Sequence, residues 1–278
     1  MADEVPALED RGPEASLKAI SLLYHDVVQP GHDDDSGFPG PAAARYKLEL
    51  SEFDRHLEAI AQARPGAPVL VNELDDRADE EQPWLLTFDD GGSSALTAAH
   101  SLARHGWRAH FFVTVDRIGS PSFVDADGVR ALAELGHAVG SHSCSHPERM
   151  SRCTHEQLLY EWGRSTEVLG KLLGRKVTIA SVPAGWYSPR VAQAAAEVGI
   201  EALFTSEPVA ATRLVDGCRV LGRFTIQRDV PAAHAAAIVA GRRAPRLRQF
   251  ASWNARKVAK AVGGETYLRL RRYLLARG

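Results

Sequence analysis

The run Trp84-Leu85-Leu86-Thr87-Phe88-Asp89-Asp90-Gly91-Gly92 constrains this chain more than any other stretch. A short apolar segment closed by two acids and two glycines reads as a buried strand that ends abruptly. Asp89 and Asp90 stand where the strand emerges, and the glycines let other backbone come close. Two neighbouring carboxylates leaving buried backbone need a cation beside them. Candidate partners occur about fifty residues on, in Ser141-His142-Ser143-Cys144-Ser145-His146-Pro147. Imidazoles four residues apart can reach one ion if the segment curls into a turn. Two His and one Asp leave coordination positions open to water, as in a hydrolytic rather than a structural site. One aspartate would be a ligand and the other a free base. The plainer alternative is a solvated histidine loop and a helix-capping acid pair, but the apolar strand upstream favours the metal.

The flanking chain alternates strand and helix. Strands are expected at 19–24, 84–88, 109–115, 137–141, 177–182, 201–205 and 219–224. Helices are expected from Glu52 to Ala63, with Ser51 and Asp54 as a capping box, from Ser93 or Ser94 to His105, and from about Gly128 to Leu135. A long helix opens at the capping box Thr154/Gln157 and stops at Gly174, and another follows Ser188-Pro189. Seven strands alternating with helices give an α/β fold with a parallel sheet, whose chemistry gathers at the strand C-termini. His25, Asp89, Asp90, His142, His146 and the Pro183-Ala184-Gly185 turn all fall there. Asp90-Gly91-Gly92 lacks the further glycine and lysine of a phosphate-binding loop.

Thr87-Phe88-Asp89-Asp90-Gly91 together with Ser141-His142-Ser143-Cys144-Ser145-His146 resembles the first two motifs of the polysaccharide deacetylases, carbohydrate esterase family four. The resemblance covers roughly residues 18–225. It implies a distorted, incomplete (β/α) barrel of about seven strands, with Asp89 as general base and Asp90, His142 and His146 as metal ligands. It also implies hydrolysis of N-acetyl groups on N-acetylglucosamine-containing polysaccharide, oligosaccharide or lipid-linked glycan, with zinc, cobalt or nickel as the metal. The chain departs from the family at three points. The third motif, commonly Arg-Pro-Pro-aromatic-Gly, reads Ser181-Val182-Pro183-Ala184-Gly185, so its base-orienting arginine is missing. Arg223, at the end of a later strand, is the candidate to supply that charge, and the Ala184 N–H remains as an oxyanion donor. The fourth motif is replaced by Phe204-Thr205-Ser206-Glu207, and the late Leu-x-His is absent. Some family members are permuted and supply the acid histidine from an N-terminal strand. Leu23-Tyr24-His25-Asp26 resembles that version, with His25 as general acid and Asp26 holding its proton. Trp186 and Tyr187 are candidates to stack on sugar. Three rival readings stand beside this one: an O-acetyl esterase, a non-catalytic glycan-binding descendant lacking the arginine, and a non-haem iron oxygenase, which also uses two His and a carboxylate.

Charge is unevenly divided. Residues 241–278 carry eleven Lys/Arg and one acid, leaving that segment at +10 and residues 1–240 at −12. The expected organisation is a lead-in at 1–17, a catalytic domain at 18–240 and a basic amphipathic tail at 241–278, suited to an anionic membrane surface. No nucleic-acid motif accompanies the tail. Three cysteines, Cys144, Cys153 and Cys218, form no disulfide framework. With neither a basic-then-apolar leader nor an apolar run of spanning length, the expected location is cytoplasmic, at most peripheral to a membrane.

Overall fold

The run Trp84–Phe88 is a strand with every residue buried, and the rest of the sheet is laid down on either side of it. The computed structural model describes residues 17–77 and 82–255. In chain order the strands are β1 (Ile20–Tyr24), β2 (Val27–Val28), β3 (Leu48–Glu49), β4 (Trp84–Phe88), β5 (His110–Val113), β6 (Ala138–Ser141), β7 (Ile179–Ser181), β8 (Ala202–Phe204), β9 (Arg213–Val215), β10 (Cys218–Leu221) and β11 (Phe224–Thr225). The helices are α1 (Pro41–Ala44), α2 (Leu50–Ala63), α3 (Ala95–Ala103), α4 (Ala126–Glu134), α5 (His155–Leu173), α6 (Pro189–Glu197) and α7 (Ala232–Val239).

Nine strands form one sheet in the order β11-β1-β4-β5-β6-β7-β8-β10-β9, and β2 pairs with β3 separately. All neighbours in the large sheet are parallel except β10 and β9. Thus eight parallel strands replace the expected seven. The segment read as one strand at 219–224 is two: β10 pairs with β8, whereas β11 pairs with β1 at the opposite edge. Only Gly222 and Arg223 separate them. Two residues of chain reach at most about 11 Å between the flanking Cα atoms. The sheet must therefore curl until its edges almost meet, giving the distorted, incomplete barrel.

The strands read as continuous apolar runs because both faces are covered. Inside the curl, Phe112 packs on Phe204 with ring centroids 5.2 Å apart, whereas on the helix-covered face Phe88 stacks on Tyr24 and on Phe111, at 5.6 and 4.7 Å, with Phe53 of α2 at its edge. Outside, α2 packs on α7 and α5 on α6. The capping box at Thr154/Gln157 forms as expected, and Gly174 ends α5 at a left-handed φ of 64°. Three expected caps make no side-chain bond, Ser188 before α6 among them. α2 begins at Leu50, which puts Ser51 inside the helix, and Ser94 makes no cap bond because its hydroxyl turns to Asp26.

The chain is helical again over 243–255, where Gln249 donates to the Thr225 carbonyl. The expectations for residues 1–16 and for 256–278, most of the basic tail, lie outside the described residues. Among the described residues no helix is long and apolar enough to cross a membrane.

Candidate metal centre

The parallel strands deliver their following residues to one rim of the curled sheet. Register pairs Tyr24 with Phe88, so His25 and Asp89 leave side by side, and the Asp89 N–H still donates to the Tyr24 carbonyl. His142 follows β6 in the same way, its N–H donating to the Val113 carbonyl. After the strands the chain turns through left-handed backbone at Asp90, Ser143 and His146, with φ of 77°, 65° and 61°. Such conformations cost on the order of 1–3 kcal/mol each in non-glycine residues and persist where surrounding contacts impose them.

These turns bring three donors together. Asp90 Oδ1 lies 3.3 Å from His142 Nε2 and 3.6 Å from His146 Nε2. One ligand atom from each of the three residues falls within 4.8 Å of the others. Donors bonded to a tetrahedral ion at about 2.0–2.1 Å stand about 3.3 Å apart, so the cluster fits a small divalent cation. His142 Nδ1 lies 3.1 Å from the Ser181 carbonyl and donates there, which directs Nε2 toward Asp90. Side-chain exposure rises from 2% at His142 through 13% at Asp90 to 21% at His146. The cluster therefore opens on the His146 side.

Asp89 is adjacent but held apart. Its carboxylate accepts two bonds from Arg223, at 2.7 and 2.8 Å, and a third from the Ser181 hydroxyl at 3.0 Å. Arg223 is completely buried and uses its remaining donors on Thr87, Ser181 and the Thr205 carbonyl. The charge missing from the third motif is thus present, carried from the β10–β11 seam rather than from β7. Ser181, standing where the family has arginine, fits beneath it as both donor and acceptor.

Burial favours protonation of both acids, yet their partners prevail. Arg223 first, then His142, hold the Asp89 carboxyl below its ordinary value. His142, with His25 and His146, holds Asp90 well below the usual carboxylate range. Burial opposes charge on His142, but Asp89 and Asp90 raise it overall. For His146 burial wins, and its imidazole is pushed down to about 4, the neutral form in which it can ligate.

His25 leaves β1 beside Asp89, at the same rim as the two carboxylates. Its expected partner is wrong. Asp26 turns its carboxylate to Ser36 and Ser94, at 2.6 and 3.0 Å, because both hydroxyls stand on the buried side. His25 Nδ1 is buried without a hydrogen-bond partner, and its ring packs on Tyr46 at 4.8 Å. Ala184 sits exposed on its turn at φ 51°. Trp186 and Tyr187 are half-buried, with the guanidinium groups of Arg149 and Arg213 over their rings at 5.5 and 4.8 Å.

Sequence reasoning missed Glu161 of α5, which accepts from the Cys144 and Ser145 N–H groups and from the Ser145 hydroxyl. It fixes the turn that carries both histidines. A lone glutamate on the apolar face of a helix was the only available signal. Cys144 itself is buried, its thiol donates to the Asp116 carboxylate at 3.2 Å, and desolvation pushes it up to about 12.

A curled parallel sheet with an Asp-His-His cluster and a guanidinium-held carboxylate at its C-terminal rim defines the class: an α/β-barrel protein with a centre suited to metal-assisted hydrolysis. Residues 76–203 match the family described as polysaccharide deacetylase. It is 29% identical over 205 residues to YxkH of Bacillus subtilis, named as a polysaccharide deacetylase, covering 72% of this chain and 68% of that one. Over 121 residues it is 42% identical to the peptidoglycan-N-acetylglucosamine deacetylase PgdA of Listeria monocytogenes. That match covers 42% of this chain but only 24% of PgdA. In fold it resembles the Streptococcus pyogenes deacetylase PplD, solved with acetate, at a TM-score of 0.64 and 19% identity, over 78% of this chain and 96% of that one.

Proposed function

We propose that this protein removes N-acetyl groups from an N-acetylglucosamine-containing glycan, with zinc as the favoured metal. The observation that carries the reading is the pairing of a three-donor cluster with a second carboxylate, Asp89, fixed beside it by Arg223 and withheld from it. An oxygenase centre has no need of that second acid. The nitrogen-rich donor set suits zinc, with cobalt and nickel as substitutes.

Held by Asp90, His142 and His146, a divalent ion would polarise the acetyl carbonyl and lower the pKa of water from 15.7 to about 7. Asp89 accepts the proton of the attacking water. Its low basicity suffices for a water so acidified, and Arg223 and Ser181 keep the carboxylate in one orientation. As the water oxygen bonds to the carbonyl carbon, the Ala184 N–H offers a hydrogen bond to the oxygen that gains charge. His25 then gives its proton to the nitrogen as the C–N bond breaks, leaving acetate and a free amine. Trp186 and Tyr187, beside Ala184, present aromatic surface to the sugar.

The test is acetate release from N-acetylated chitooligosaccharides and from an O-acetylated glycan, using zinc-loaded protein. One acetate per amine formed, with a kcat fall of about 10²–10⁴ in Asp89→Asn, supports the proposal. Release from the O-acetyl substrate alone would make the protein an esterase. Glycan binding with no release from either would make it a non-catalytic descendant.

A further inference from the structure

The two imidazoles of the metal centre are supported differently. His142 is held through its ring nitrogen by the Ser181 carbonyl. His146, the more exposed, has the ring of Phe38 packed on it, with centroids 4.6 Å apart and planes tilted by 44°. Phe38 belongs to the loop 33–40, which precedes the region matching the family and has its own foundation.

That foundation is unusual for a surface loop. Lys47 is 1% exposed, and its Nζ donates to three loop carbonyls: Asp33 at 2.6 Å, Ser36 at 2.5 Å and Phe38 at 2.7 Å. All three ammonium hydrogens are thereby used on backbone. Arg228 grips the Asp33 carboxylate with both terminal nitrogens and donates through Nε to the Lys47 carbonyl. From the other side, the buried Asp26 carboxylate accepts from Ser36 and Ser94, and the Ser94 N–H donates to the Ser36 hydroxyl. A Cβ at Gly37 or Gly92 would lie 2.2 or 2.0 Å from an Asp26 oxygen, so the loop and the Asp-Asp-Gly-Gly turn close on that acid without space for side chains. Phe38 is pinned at its edge by Phe123, at 5.1 Å, and covered by Arg117, at 5.6 Å.

We infer that loop 33–40 is a rigid brace for the metal centre, with Phe38 as a positioning residue that holds the His146 ring against Asp90. A ligand imidazole free to swing pays orientational entropy on each binding event, and a packed ring face removes that freedom. Lys47 and Asp26 keep Phe38 in place from opposite sides. The brace explains why so many buried polar groups converge on a loop that contributes no metal ligand of its own.

This inference rests on the proposed ligand set, and its test separates the two. Zinc affinity is measured on the full chain by competition with a chromogenic chelator, for the unmodified protein, Phe38→Ala and Phe38→Tyr. The expected result is about a ten- to hundredfold weaker Kd for Phe38→Ala, with Phe38→Tyr near the unmodified value. The visible absorption bands of the cobalt-loaded protein should shift in Phe38→Ala alone. A merely structural role would lower thermal stability and leave both readouts unmoved. A Kd for Phe38→Ala within threefold of the unmodified protein, or an unchanged cobalt spectrum, would overturn the brace while leaving the ligand set intact. Failure of the unmodified protein to bind zinc would instead overturn the ligand set.

Discussion

The middle of the chain and its two ends build the site by different means. Between Trp84 and Ser181, the donors sit in the turns that follow β4 and β6, so Asp90, His142 and His146 are positioned by local strand-and-turn geometry. His25 and Phe38 come from before this region and Arg223 from after it. His25 stands beside Asp89 because β1 pairs with β4, whereas Arg223 reaches the same rim only because the sheet wraps until β11 pairs with β1. The family match spans 76–203 and so includes the metal donors but none of those three. A metal cluster can be written into two short motifs, whereas the groups that aim and complement it come from distant segments, and the guanidinium depends on closure of the whole sheet.

The comparison breaks most visibly at its centre. His142→Ala should abolish both stoichiometric zinc and acetate release, a loss of at least about a thousandfold, read by metal analysis and a coupled acetate assay. Arg223→Met tests the contribution of the ends. It leaves the buried Asp89 carboxylate without its guanidinium, so unfolding free energy should fall by about 3–5 kcal/mol in denaturant titration. Zinc binding should survive in the fraction that remains folded. His25→Gln should lower kcat by about 10²–10⁴ with metal content unchanged, which separates proton donation from metal binding.

Two smaller effects lie away from the rim. His110 is fully buried between the Leu86 carbonyl and the Val71 N–H, and burial pushes its imidazole down to about 4. The unfolded chain takes up that proton at its ordinary value near 6.5 and the folded one does not. The stability linked to neutral His110 is therefore present above pH 6.5 and lost as the pH falls toward 4, by up to about 3 kcal/mol. Denaturant titrations at several pH values check this. Thr154→Ala removes the α5 capping box at a cost of about 1 kcal/mol, with acetate release unaffected.

Much of the middle region was legible because its signals are local. An apolar run stopped by Asp-Asp-Gly-Gly announces a strand exit, and His-x-x-x-His announces a turn that can share an ion. The parallel α/β sheet followed from alternating strand and helix, and its closure into an incomplete barrel from the resemblance. The ends were less legible. Arg223 was singled out from the missing arginine of the third motif, but nothing in Leu221-Gly222-Arg223-Phe224 marks a break between two strands on opposite edges. Asp26 looked like the partner of His25 because they are neighbours in sequence. Alternation along extended backbone sends them apart, and the acid finds Ser36 and Ser94 instead. Lys47 carries no signal in the sequence, since only the folded loop reveals three carbonyls converging on its Nζ.

The account turns on one cation held by Asp90, His142 and His146 with Asp89 free beside it. The most direct measurement strips the purified protein with a chelator, then restores zinc in sub-stoichiometric steps while following acetate release from a chitooligosaccharide. Activity should vanish on stripping and return linearly, saturating at one zinc per chain. Undiminished acetate release from the metal-free protein would contradict it.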